Sequence, residues 1–280
     1  MLRTTALRVL RLADLPEVTA LLERDPVADV FVASRVAALG LDPARLSGEM
    51  WGHVVDGRIE ALCHSGANLV PVQAGPEAVR AFTDRARRQG RRCASIVGDR
   101  TAVAGMWEAL EPEWGPAREV RAKQPLMAID SAPAVPPDPL VRRVRADELD
   151  ILVPACVAMF TEEVGVSPVV ADGGALYRSR VAELVRTGRS FARIEDGQVL
   201  FKAEVGAVSP SACQVQGVWV PPELRGQGLA APGMAAVVAL ALADIAPVVS
   251  LYVNDYNEAA LATYRRVGLT DRGSFMSVLF

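Results

Sequence analysis

The segment Pro221–Met234, PPELRGQGLAAPGM, joins a proline-led turn, one arginine, two glycines two positions apart and a run of small apolar residues. It follows GVWV, Gly217–Val220, which reads as the end of a buried strand. The two prolines then stop strand pairing. Behind the turn an apolar helix is expected, with Pro232 in its first turn, where a missing N–H is harmless. A strand, a glycine turn and a helix N-terminus in that order leave several N–H groups unpaired and pointing one way, with the helix dipole adding partial positive charge. Glycine permits positive φ and has no Cβ to hold a ligand off. Such an arrangement suits a phosphate or diphosphate. A turn that only reverses the chain has the same composition. The segment is neither G-x-x-x-x-G-K-[ST] nor G-x-G-x-x-G after a first strand, which counts against a nucleotide-hydrolysing loop and a dinucleotide fold.

The elements that must position this turn come from a chain of 280 residues, comfortable for two domains. With 51% apolar residues, each half has enough to bury its own core. The formal net charge of −3 argues against a general nucleic-acid binder. The N-terminal residues place arginines among the apolar ones, so no signal peptide is read. The longest apolar run, Ala230–Ala243, falls short of the roughly 20 residues that span a membrane. Four cysteines, Cys63, Cys93, Cys156 and Cys213, form no C-x-x-C pair, no zinc pattern and no disulfide framework. A soluble, cytoplasmic, metal-free protein without a membrane or nucleic-acid partner is the expectation.

Proline-dense SAPAVPPDP, Ser131–Pro139, divides the sequence near its middle. Both halves open with a short alternating strand leading to an Asp, Asp14 and Asp147, as N-cap of an amphipathic helix. Both continue with hairpins turned by Asp-Gly, at Asp56-Gly57 and Asp196-Gly197. Each then shows a helix (Pro76–Gln89; Ala230–Ala243), a strand (Arg92–Val97; Val248–Val253), another helix and a closing strand. An internal duplication follows. The expected fold class is α/β, of the α+β mixed-sheet kind: two tandem domains, each a mixed, mostly antiparallel sheet flanked by helices. The expected boundaries are 1–132 for the first domain, 133–139 for the linker and 140–280 for the second.

The run V-x-P-x-x-R-G-x-G-x-A, Val220–Ala230, resembles the acyl-CoA diphosphate loop of the GNAT superfamily of N-acetyltransferases. A second match lies in LYVNDYNEAALATYRRVGL, Leu251–Leu269, where Asn257, Ala260, Tyr264 and Gly268 are similar to the family's strand-then-helix pattern. The resemblance covers roughly residues 140–280, and tandem layouts with one decayed copy occur among actinobacterial GNAT proteins. It implies acetyl-CoA, or another acyl-CoA, as cosubstrate. The diphosphate would sit on the N–H groups of Gln227, Gly228, Leu229 and Ala230, with Gly226 opening the turn and Arg225 near the charge. Val218, Trp219 and Val220 would pair with the pantetheine amides beside a strand bulge that opens a cleft, the Val220 N–H polarising the thioester carbonyl. Tyr264 would protonate the leaving thiolate.

Helical spacing places Asn257, Ala260, Leu261 and Tyr264 on one face. Asn257 would bond the pantetheine arm, or simply cap its helix. Tyr264 could equally be a core aromatic. Gln214 and Gln216 stand where many family members carry a carboxylate, so Glu204 is the candidate base, relaying through water; it is also a natural cross-strand partner of Lys202. Glu162 and Glu163 could read a cationic acceptor or form a solvated helix end. The first half has Gly75, Pro76 and Glu77 in place of Arg-Gly-x-Gly, and Trp107 near the place of Tyr264. It is expected to do no transfer, and to pack on the active half, shape the acceptor cleft or form a homodimer. His53 and His64, the only histidines, are read as strand-surface residues. The expected activity is transfer of an acetyl or small acyl group to a primary amine, on a small molecule or a protein amino group. The alternatives are a non-catalytic acyl-CoA sensor or scaffold, and a mycothiol-synthase-like acetylation.

Overall fold

The computed structural model describes residues 4–169 and 173–280. The first half of the chain runs β1 (Thr5–Val9), α1 (Leu15–Leu22), α2 (Val30–Leu39), α3 (Pro43–Leu46), β2 (Glu49–Val55), β3 (Arg58–Ser65), β4 (Asn68–Val72), α4 (Pro76–Gln89), β5 (Ser95–Asp99), α5 (Arg100–Trp114) and β6 (Glu119–Ile129). The second runs β7 (Arg142–Arg143), α6 (Leu149–Val164), α7 (Ala175–Arg186), β8 (Ser190–Glu195), β9 (Gln198–Val208), β10 (Cys213–Trp219), α8 (Ala230–Asp244), β11 (Val249–Tyr252), α9 (Glu258–Val267) and β12 (Thr270–Leu279). The second half repeats the order of the first, with α3 alone lacking a counterpart. Among the described residues no helix is long and apolar enough to cross a membrane.

Contacts divide the chain into two units. One holds residues 1–127, 252–257 and 271–280; the other holds 128–251 and 258–270. In the first, strands lie in the order β1-β2-β3-β4-β5-β12-β6. The pairs β1–β2, β2–β3, β3–β4 and β5–β12 are antiparallel and β4–β5 is parallel. Residues 271–280, read from the sequence as the end of the second domain, thus complete the sheet of the first unit. The reason lies in β12 itself: Met276 and Val278 alternate into the apolar cluster built on Phe82, Ile96 and Trp107. A strand is placed by its cross-strand partners, and sequence order does not name them.

The second unit has the order β11-β10-β9-β8-β7. Its strands pair antiparallel except for the parallel pair β10–β11. Each unit is therefore a mixed, mostly antiparallel sheet with helices on its faces, as the alternation of hairpins and helices predicts.

The duplication extends to single contacts. Both Asp-Gly turns hold positive φ at both residues, 49° and 82° at Asp56-Gly57, 49° and 74° at Asp196-Gly197, the conformation that matches strand twist. Arg8 grips Asp14, and Asp14 accepts the Arg11 N–H at 2.8 Å. In the second half Arg142 grips Glu148, and Glu148 accepts the Arg145 N–H at 2.9 Å. The counterpart of Asp14 is thus Glu148, not Asp147. Spacing to the arginines, six and three residues back, identifies the repeat better than residue type does. Arg142 holds the Glu148 carboxyl down to about 2, below the ordinary glutamate range.

His53 and His64 are buried, at 6% and 0% exposure, and not on a strand surface. Helices cover both faces of β2 and β3: Met50 and Leu62 enter one core, Trp51 and Cys63 the other. Burial holds the His64 imidazole neutral, down to about 4, with the Arg35 charge acting the same way.

In the second unit, α8 lies directly on β9. A Cβ on Gly233 would stand 2.7 Å from the Phe201 ring. Gly233→Ala should therefore lower stability by about 1–3 kcal/mol through overpacking, although alanine is the better helix former. A higher urea midpoint for that variant would show that the contact is not close.

Candidate functional site

Strand β10 is bonded to β9 along its length but is registered with β11 only at Cys213↔Val249 and Gln214↔Ser250. Beyond Gln214 the two parallel strands part. The β9 register slips between Gln216 and Trp219, which is a β-bulge, and Gly217 carries it at φ +59°. A Cβ on Gly217 would stand 3.0 Å from Met159 Cε, 3.2 Å from Lys202 Nζ and 3.4 Å from the Glu204 carboxyl carbon. Glycine meets both demands without strain or displacement of these side chains. Past the bulge, Val218 and Trp219 are half-buried and Val220 is buried.

The chain then leaves the sheet. Residues 225–228 are exposed, and Gly226 and Gly228 hold φ of +77° and +81° with open space where a Cβ would be. Helix α8 begins at Ala230 with no side-chain cap, and its first turn closes with Gly233 N–H donating to Leu229 C=O at 3.1 Å. The N–H groups ahead of Gly233 have no carbonyl a turn earlier to bond. The first turn of α8 thus lies directly behind the two left-handed glycines. In the first unit the corresponding connection is residues 73–75, and α4 starts at Pro76 from an extended Gly75 at φ −71°. That turn has no left-handed glycine pair, and Trp107 is buried in its core.

Arg225 is turned toward its own protein. Its Nη2 donates to Glu162 Oε2 at 2.7 Å and its Nε to Val220 C=O at 3.0 Å. Glu162 Oε2 also accepts the Trp219 indole N–H at 3.1 Å. One carboxylate at the end of α6 thus ties the last residue of β10 to the glycine loop. The Arg225 guanidinium holds the Glu162 carboxyl below the ordinary carboxylate range.

Under the bulge lies a buried polar group. Lys202 is fully buried and Glu204 is 7% exposed. Lys202 Nζ is 3.5 Å from Glu204 Oε2 and 3.4 Å from Cys156 Sγ on α6. Gln216 Nε2 donates to Glu204 Oε1 at 2.8 Å, and the Gln216 amide lies over Gly206, where no side chain would fit. Tyr177 on α7 donates to the Cys156 carbonyl at 3.0 Å. Burial raises the Cys156 thiol, against the opposing pull of Lys202, so Cys156 is a poor nucleophile.

Tyr264 is buried on α9 together with Leu261 and Val267. Burial, with Glu163 adding to it, raises its phenol well above the ordinary tyrosine range. Asn257 precedes α9, is exposed, and donates its N–H to Asn254 C=O at 3.0 Å. It groups with the first unit and not with Tyr264. The shared helical face expected of the pair does not include Asn257, because the helix starts one residue later.

Sequence reasoning passed over Gly217, Met159, Cys156 and Tyr177 as site residues. A glycine inside an otherwise apolar strand is a bulge signal, and it stood in QGVWV. The helix residues that meet it carry no such mark. Among the described residues no group of three or more His, Cys, Asp or Glu could hold a metal ion.

Residues 178–269 match the family model described as the Acetyltransferase (GNAT) family, a span that runs from α7 through the parted strands and the glycine loop to the end of α9. This stretch is a GNAT-family domain. Residues 48–152 match a second family model, described as a domain of unknown function (DUF4081), which fits a degenerate GNAT copy. No curated protein matches the chain in sequence. Solved structures resemble it from end to end. A Drosophila protein has a TM-score of 0.67 at 14% identity, covering 99% of both chains. A GNAT-family acetyltransferase from Colwellia psychrerythraea has 0.58 at 13%, covering 98% of this chain and 99% of its own. A tandem GNAT protein from the clavulanic acid biosynthesis pathway has 0.56 at 15%, covering 99% and 98%. At such identities the likeness is one of fold, and the fold is the tandem GNAT fold.

The loop geometry generates a test. An anion on the glycine loop would have to share Arg225 with Glu162. Glu162→Gln should tighten binding of inorganic pyrophosphate about two- to fivefold, the size of an exposed ion pair, by calorimetry. Unchanged or weaker binding would show that Arg225 is not shared.

Proposed function

We propose that the second unit transfers an acetyl or other small acyl group from acyl-coenzyme A to a primary amine. The observation that carries this reading is the parting of β10 from β11 beside a bulge, followed directly by an uncapped helix N-terminus behind two left-handed glycines. A parted strand edge offers main-chain groups to the amides of an extended arm, and the glycine turn offers N–H groups to a diphosphate. Acyl-coenzyme A carries both, at opposite ends of one molecule.

In this reading Val218, Trp219 and Val220 take the pantetheine arm, and the Val220 N–H faces the thioester carbonyl. Gly226, Gln227, Gly228, Leu229 and Ala230 take the diphosphate, with Arg225 released toward it from Glu162. Tyr264 gives its proton to the departing thiolate; a phenol raised by burial keeps that proton through the neutral range. Glu204 is the proton acceptor, reaching the amine through water. Positioning and carbonyl polarisation supply most of the rate, with no acyl-enzyme. Asn257 remains a candidate for the pantetheine arm. The acceptor is a small-molecule amine or a protein amino group.

A second reading, retention of acyl-coenzyme A without turnover, is favoured by one feature. Both Glu204 oxygens already have partners, Lys202 and Gln216, and the carboxylate is buried. Thiol release from acetyl-CoA over a panel of amines, set beside CoA affinity by calorimetry, separates the two.

Tyr264→Phe should lower turnover about a hundredfold or more, the usual scale of general acid catalysis, and leave CoA affinity unchanged. Because the phenol is raised, no alkaline fall in rate below about pH 10 belongs to it, so the variant should keep the parent's alkaline limb. Unchanged turnover would remove Tyr264 from the mechanism.

A further inference from the structure

We propose that Lys202 is a positioning residue for acyl transfer, acting through Glu204 and the Gly217 bulge; this rests on the acyl-transfer reading above. Lys202 is fully buried, and its ammonium lies against the Glu204 carboxylate and the Cys156 sulfur. Taking an ammonium and a carboxylate out of water is expensive, and an apolar pair of similar volume is often at least as stable. Stability therefore gives a weak reason for this pair.

Its location gives a better one. The pair lies against Gly217, at the second of two register shifts between β10 and β9, the first being at Gln214/Val215. Nζ would touch a Cβ on Gly217 at 3.2 Å and the Glu204 carboxyl carbon would stand at 3.4 Å. Gln216, next to the bulge, is tied to the other carboxylate oxygen at 2.8 Å. Lys202 fixes one edge of the Glu204 carboxylate and Gln216 fixes the other. The carboxylate in turn fixes Gln216, and so sets where the bulge stands. The bulge sets which main-chain groups of residues 218–220 face the gap beside β11. Cys156 and Met159 close the group from α6, which makes the bulge's height depend on the helix packed over it.

The positioning has a consequence beyond folding. Removing the ammonium should loosen the aim of the bulge and of Glu204 without touching the diphosphate cradle, which is built from residues 226–230. Catalysis and cofactor affinity should separate.

The test uses the full-length protein and three variants: Lys202→Met, Lys202→Arg and the charge-free double variant Lys202→Met with Glu204→Met. Calorimetry reads CoA affinity, and thiol release from acetyl-CoA reads turnover, with water and a panel of primary amines as acceptors. Lys202→Met should cut thiol release at least tenfold and leave CoA affinity within twofold; Lys202→Arg should restore part of the loss. The double variant lacks the proposed proton acceptor as well, so it reports stability and should recover the thermal midpoint of the parent; the parting of turnover from CoA affinity in Lys202→Met is the outcome a purely structural role does not give. Lys202→Met with parental turnover, or a double variant that regains stability and turnover together, overturns the proposal. So does a parent protein that binds CoA tightly yet releases no thiol with any acceptor. A parent protein with no affinity for CoA overturns the acyl-transfer reading itself.

Discussion

Strand β10 must satisfy two neighbours that pull in different directions. Antiparallel β9 holds it along its length, whereas parallel β11 holds it only at Cys213 and Gln214. A strand that loses one partner part-way along exposes a row of main-chain donors and acceptors, and an exposed row inside a protein calls for a partner. The bulge at Gly217 turns that row outward, and the two prolines at 221–222 end it before it can pair again. The glycine loop, α8 and the buried Lys202–Glu204 pair are arranged around that half-paired strand.

The two faces of the second unit's sheet divide the work. On one face α8 presses on Phe201 through Gly233, so its N-terminus is held at a set distance from the strand end. On the other, α6 and α7 cover the polar group of Lys202, Glu204, Cys156 and Tyr177. The two sides meet at one ion pair, Glu162 to Arg225, with the Trp219 indole between them. Both partners are about half exposed, so the pair is weak in itself. A weak link suits a contact that a diphosphate would have to replace.

The first unit shows what the same topology does without the site. It keeps the arginine-gripped carboxylate, the Asp-Gly hairpin and the parallel pair β4–β5. It reaches α4 through the short connection at 73–75 and fills its helix α5 with Trp107, against Phe280. The two units differ in the length of that connection and in the left-handed glycine pair, while each buries an aromatic, Trp107 or Tyr264, on the helix that follows. The scaffold and the site are separable parts of this fold.

Much of this was legible in the amino-acid order. Local signals reported local geometry: Asp-Gly gave the turns, Gly226 and Gly228 gave the left-handed loop, and the run after them gave α8 to within a residue. The repeat of elements gave two units of one kind. Residues whose meaning depends on a distant partner stayed hidden. Asp147 was mistaken for the capping carboxylate because the arginines that choose Glu148 act through space. The histidines looked superficial because a strand's sequence does not say how many faces are covered. Glu162 looked free until Arg225, 63 residues on, took it. Sequence alone offers Glu204 as a cross-strand partner of Lys202; the fold puts the two on one strand, β9, and buries both. The final strand reads in sequence as part of the second domain, while in the fold it lies between β5 and β6. Conformation propagates along the chain over a few residues; pairing, burial and charge compensation are decided between segments far apart in it, and only the folded chain brings those together.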